Sequence, residues 1–204
     1  MRWAPLAACL AVGAAVLVSP VTPVRAAQSA EDRQAMRDIF LQRVDAYVTL
    51  HRHIERLLPP EVVTADRERL FAPRLAMNRE MPKARAAAVQ GDIFTPGVAV
   101  YFRVLITEAL RRNGIVDLLV TIEDGNTVFV APTVNGDYPA GRSVALMPPC
   151  LIGALPPLPP EVRFGFVGAD LILWDLHAGL IVDFVPRAVP AITTAPCPGD
   201  VSSH

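Results

Sequence analysis

The sequence predicts an α+β domain, with a helical first half packed on a small antiparallel sheet formed by the second half. Three observations predict it. Residues 27–114 carry apolar side chains at helical spacing, with 14 basic and 11 acidic groups. Residues 115–204 carry 3 basic and 9 acidic groups, most of the prolines, and short alternating apolar runs. The composition, 52% hydrophobic and 19% charged over 204 residues, supplies a core and excludes a disordered chain. The formal net charge of -1 argues against a general nucleic-acid binder, and three cysteines are too few for a disulfide scaffold or a Cys-rich zinc module.

Residues 1–26 read as an export signal. Arg2 gives the positive start, residues 4–18 are apolar and small, Pro20 and Pro23 end any helix, and Val24-Arg25-Ala26 suits cleavage after Ala26. An uncleaved anchor over 6–24 and a lipid-modified Cys9 are the alternatives. Residues 27–186 then form one domain and 187–204 a loose tail. The protein is expected in the periplasm or outside the cell, where Cys150 and Cys197 pair as a disulfide.

The first helix is expected over 30–58, with Met36, Phe40, Val44, Tyr47, Leu50, Ile54 and Leu57 as its stripe and Pro59-Pro60 as its stop. The second starts near Thr64 as N-cap and buries Leu70, Leu75 and Met77. Pro73 and Pro82 are expected to kink or split it. The third is capped by Thr95, opens with Pro96, ends at Gly114, and buries Val100, Tyr101, Val104, Ile106 and Leu110.

Residues 115–122 are apolar, 127–134 read as extended, and Asn135-Gly136 marks a turn. A short helix is expected from Pro148, followed by a rigid proline connector over 156–160. Val162, Phe164 and Phe166 alternate as a strand. Two further runs, 171–176 and 180–185, form a hairpin around His177-Ala178-Gly179. With that loop, Ile172, Trp174, Leu176, Leu180, Val182 and Phe184 make the core face.

The same register makes Asp175 and Asp183 diagonal neighbours, two carboxylates that could divide acid and base work as in glycoside hydrolysis. Solvent-facing edge residues are the plainer reading. Cys150 near a helix start, with His177 at a hairpin tip, would suit acyl transfer, and the disulfide to Cys197 competes with it. His51 and His53 point apart on a helix. His51 and Glu55 share a face, but two ligands are too few for a metal site, so no metal and no cofactor are expected. Thr95 at a helix start and the basic stretch holding Arg67, Arg69 and Arg74 are candidate anion contacts, with caps and a solvated helix face as the ordinary explanation. There is no phosphate loop, Gly-x-Gly-x-x-Gly, Gly-x-Ser-x-Gly or Ser-x-x-Lys motif.

Residues 90–96 (QGDIFTP), 155–159 (LPPLP) and 170–175 (DLILWD) resemble a family of uncharacterised exported bacterial proteins of similar size, across most of the mature chain. The resemblance implies export and no particular activity. The expected function is therefore that of a non-catalytic binding or interaction domain of the cell envelope. Its partner would be an envelope protein or a small ligand, not a nucleic acid, with membrane contact only if the signal is kept. A small hydrolase is the alternative.

Overall fold

A computed structural model describes residues 23–60, 65–113, 131–138, 147 and 149–189, the side chains of 23–28 and 150 excepted. The export segment through residue 22, Thr64, Gly114, the run 115–122 and the cysteine pair lie outside that description. The element order is α1 (Pro23–Glu55), α2 (Arg67–Ala84), α3 (Pro96–Arg112), the short α4 (Pro149–Ile152), then β1 (Val162–Val167), β2 (Asp170–Asp175) and β3 (Ile181–Val185). The strands form one antiparallel sheet in the order β1-β2-β3, so the chain is α+β as expected. No helix among the described residues is long and apolar enough to cross a membrane.

α1 begins at Pro23, upstream of the expected start and of the expected cleavage point. It buries Phe40, Val44, Tyr47, Val48, His51 and Ile54, while Leu57 is 72% exposed just past its end. Asp66 is the N-cap of α2, its carboxylate accepting from the N–H groups of Glu68 and Arg69. α2 runs unbroken through Pro73 and Pro82. Each proline removes one intrahelical hydrogen bond. Burial of Ala76, Met77 and Met81 against the core holds the helix together, while Leu70 and Leu75 are exposed.

Thr95 caps α3, and Pro96 is its first residue. Its buried face centres on Phe102, with Val98, Ile106, Ala109 and Leu110 at three- and four-residue steps. Val100 and Val104 therefore point outward, against expectation. Phe102 and Phe40 pack against Phe94 and Phe164, with ring centroids 4.7 to 5.9 Å apart. These rings join the helices to β1 in one core.

Residues 131–134 are not a strand; Asn135 turns with φ of 60°, and Gly136 N–H donates to Thr133 O. Asp137 then bridges to Leu180 and extends the β3 edge. Of the expected tail, residues 187–189 are described. Ala188 and Val189 are buried, and Val189 N–H donates to Ala169 O, so 187–189 still pack on the sheet.

The hairpin keeps the expected register over three pairs and departs from it by one residue nearer the turn. Leu171, Ile172 and Leu173 face Val185, Phe184 and Asp183, and then Trp174 faces Ile181. Val182 is the extra residue of a β-bulge, and a one-residue bulge moves the following side chains to the other face. The helix-facing core holds Leu171, Leu173 and Val185, which pair as expected but on the face opposite to the one read as core, and the bulge adds Val182 to them. Ile172 and Ile181 instead pack with Tyr138, Trp174 and Phe184 on the far side. Asp175 and Asp183, read as possible edge residues, are wholly buried against the helical layer.

Candidate functional site

Two buried aspartates need partners, because an unpaired carboxylate in an apolar interior costs several kcal/mol, on the order of its lost hydrogen bonds and hydration. They find different ones. Asp183 Oδ1 accepts from Gly91 N–H (3.0 Å) and Phe184 N–H (2.8 Å), and Oδ2 from Ile93 and Phe94 N–H (2.8 Å each). It thus ties β3 to the loop before α3. Asp175 Oδ1 accepts from His177 N–H (2.8 Å) and Ala178 N–H (2.7 Å), which shapes the hairpin turn. Its Oδ2 accepts from Tyr47 Oη (2.5 Å) and lies 2.7 Å from His51 Nδ1. The two carboxylates share no hydrogen-bond partner, so the arrangement gives no support to a shared acid–base pair.

Tyr47, His51 and Glu55 fall at four-residue steps on α1 and so share one face. Burial and then the Asp175 charge push the Tyr47 phenol well above its ordinary value, so it stays a neutral donor. Burial alone would raise Asp175, but the hydrogen bonds from His51 and Tyr47 hold it below the usual carboxylate value. Burial would lower His51, yet Asp175, followed by Glu55 and Glu161, holds it above the ordinary imidazole value. Nδ1–H therefore donates to Asp175, and the second ring nitrogen, Nε2, faces away from the dyad.

That Nε2 is buried and has no hydrogen-bond partner among the described residues. It lies 3.9 Å from Glu55 Oε2, and Glu55 Oε1 lies 2.9 Å from His177 Nδ1. One ligand atom from each of His51, Glu55 and His177 falls within 4.8 Å of the others. The sequence reading stopped at two ligands because His177 lies 126 positions after His51. The turn shaped by Asp175 brings His177 in as a third, so the residues fit a metal ion where none was expected. His53 is exposed and takes no part.

Glu55 and His177 open onto a cleft of about 460 Å³, whose walls include Arg56, Pro59, Pro60, Pro73, Arg74 and Met77. Asn78 holds the hairpin tip in place by donating to Ala178 O (2.9 Å) and Asp137 Oδ1 (2.7 Å). Arg85 lies over the Tyr47 ring at 5.0 Å and donates to Val182 O (2.9 Å). Arg52 Nε donates to Glu161 Oε1 at 2.6 Å.

The other candidates are placed as follows. Thr95 is spent on its cap, accepting from Val98 N–H. The amides of the loop before it are filled by Asp183 rather than by an external anion. Arg67 and Arg69 are exposed and do not line the cleft, whereas Arg74 does. His177 is committed to Glu55. The side chains of Cys150 and Cys197 lie outside the described residues.

Sequence reasoning missed Tyr47, Glu161 and Arg85. The available signal was a polar residue inside an apolar stripe: His51 follows Val44, Tyr47 and Val48 on the buried face of α1. Comparisons with protein-family models, curated proteins and solved structures find no match, so the site is read from its geometry.

Proposed function

We propose that the protein is an exported cell-envelope binding domain whose ligand is a divalent transition-metal ion. The ion is held by His51 Nε2, a Glu55 carboxylate oxygen and a ring nitrogen of His177. One observation carries the reading: a buried imidazole nitrogen with no hydrogen-bond partner among the described residues, whose opposite nitrogen is fixed by Asp175. An unmade hydrogen bond at a buried polar atom costs about 1–3 kcal/mol, and a metal ion removes that cost. A carboxylate that receives the far N–H of a ligating histidine sets its tautomer and raises its basicity, the role Asp175 takes.

Two imidazoles and one carboxylate suit zinc, cobalt or nickel rather than calcium or magnesium, which prefer oxygen ligands throughout. Bonds of about 2.0 Å in a tetrahedral site require ligand atoms about 3.3 Å apart. His51 Nε2 lies 3.9 Å from Glu55 Oε2, His177 Nδ1 lies 2.9 Å from Glu55 Oε1, and the three ligand atoms fall within 4.8 Å of one another, so a bound ion draws the three side chains together. Export is supported by the pattern of the first 26 residues and remains part of the proposal. The hydrolytic alternatives receive no support from the site, since Asp175 and Asp183 have separate partners and His177 engages Glu55.

The test is titration of chelator-treated protein with Co²⁺, read by its visible absorption bands and competed with Zn²⁺. One ion per chain is expected. Glu55→Ala and His177→Ala, both at exposed positions, are expected to keep the fold and abolish tight binding. Asp175→Asn is expected to weaken binding about 10–100-fold. Equal affinity in the wild type and the His177→Ala variant would sink the proposal.

A further inference from the structure

The three-ligand cluster leaves a coordination position open, and the shape of the site decides where it points. The His51 side chain is fully buried. Glu55 and His177 are each nearly half exposed and line the cleft. An open position therefore faces the cleft. Three protein ligands with a fourth position left to solvent is the pattern of metal sites that bind a further ligand.

The cleft has its own charge. Arg56 and Arg74 line it, and among the described residues neither guanidinium forms an ion pair with a carboxylate. Arg56 uses one N–H on the Arg52 carbonyl and keeps its remaining donors. Arg74 lies directly on the hairpin tip: its Nη2 is 2.7 Å from where a Cβ on Gly179 would stand, two residues from His177. Glycine at 179, with φ of +68°, both makes the turn and leaves room for the guanidinium. Among the described residues lining the cleft, Glu55 is the one carboxylate against two arginines, and a bound dication would add to their positive charge.

We infer that the metal-loaded site takes a small oxyanion, a phosphate or carboxylate group, with one oxygen on the metal and the others on Arg74 and Arg56. This rests on the metal reading above. Guanidinium donors match the paired oxygens of such groups, and the proline walls lower the local dielectric and strengthen the contact.

The experiment uses the full chain loaded with Co²⁺ and titrates inorganic phosphate, then acetate, while following the cobalt bands. Saturable shifts of the bands are expected, with phosphate the tighter of the two. Arg74→Gln is expected to weaken phosphate binding at least about tenfold while Co²⁺ affinity stays unchanged, and Arg56→Gln less so. Unchanged phosphate affinity in the Arg74→Gln, Arg56→Gln double variant overturns the inference, as does loss of the bands through stripping of cobalt by phosphate. Bands that never form in the anion-free protein refute the metal reading, and this one with it. Bands that form but ignore both anions refute only this inference.

Discussion

Replacing Asp183 with asparagine isolates what this carboxylate does. Its two oxygens accept four N–H groups, two each, at 2.8 to 3.0 Å. An asparagine can present only one oxygen, so its amide nitrogen must confront two N–H donors. Two charge-assisted bonds are lost, each worth about 1.5–3 kcal/mol, for a total of about 3–6 kcal/mol. The site is fully buried, so water cannot replace them without opening the loop. Set against a total stability of about 5–15 kcal/mol, Asp183→Asn should leave the domain marginal or unfolded. The assay is equilibrium unfolding in urea, followed by Trp174 fluorescence. With a slope of about 2 kcal/mol per molar, the midpoint should fall by about 1.5–3 M. A loss below about 1 kcal/mol would refute the reasoning, because Asp183 would then not be what closes the loop onto β3.

Phe40 sits among three aromatic rings and is fully buried, so Phe40→Ala should cost about 3–5 kcal/mol in the same assay. Gly179→Ala forces a Cβ into the left-handed region and displaces the Arg74 guanidinium; a loss of about 1 kcal/mol in unfolding free energy is expected, with the fold kept by circular dichroism. The metal-free protein should also have a pH optimum of stability. His51 is raised on folding, so its contribution is complete below about pH 6.5 and is lost as pH rises through its folded value. Asp175 and Glu161 are lowered, so theirs are present above about pH 4 and are lost as pH falls through their folded values. Denaturation midpoints measured with chelator from acid to mildly alkaline pH should peak between those limits, and Asp175→Asn should flatten the profile; a wild-type midpoint that does not fall above pH 6.5 counts against the His51–Asp175 ion pair.

Much of this architecture was legible because it follows from local chemistry. The α1 stripe, the Thr95-Pro96 start of α3 and the three strand runs are each specified by residues near in sequence. Of the α2 face, Met77 was legible and the rest was not. Prolines and exposed leucines there obscure a contact made only by Ala76, Met77 and Met81, and its choice depends on where the sheet lies. The α3 face was legible at Tyr101, Ile106 and Leu110 but not at Val100 and Val104, because its centre is Phe102, on which Phe40, Phe94 and Phe164 converge.

The site was hidden by the choice of face and by a bulge: Leu171 and Leu173 pair in the expected register yet face the helices. Without a bulge, Val182 would share a face with Ile172, which is the core face that alternation predicts. The bulge seats Val182 with Leu171 and Leu173 against the helices, while Ile172, outside the bulge, packs on Tyr138. Turn and bulge follow from one demand. Asp175 must accept both the turn N–H groups of His177 and Ala178 and the donors Tyr47 and His51 from α1. A carboxylate satisfied on both sides locks the hairpin tip to the helix, and the lock sets His177 beside Glu55. The cluster is thus a consequence of how one buried charge is satisfied. This explains why reading either segment alone finds at most two ligands, and why Asp175→Asn should disturb metal affinity and hairpin geometry together.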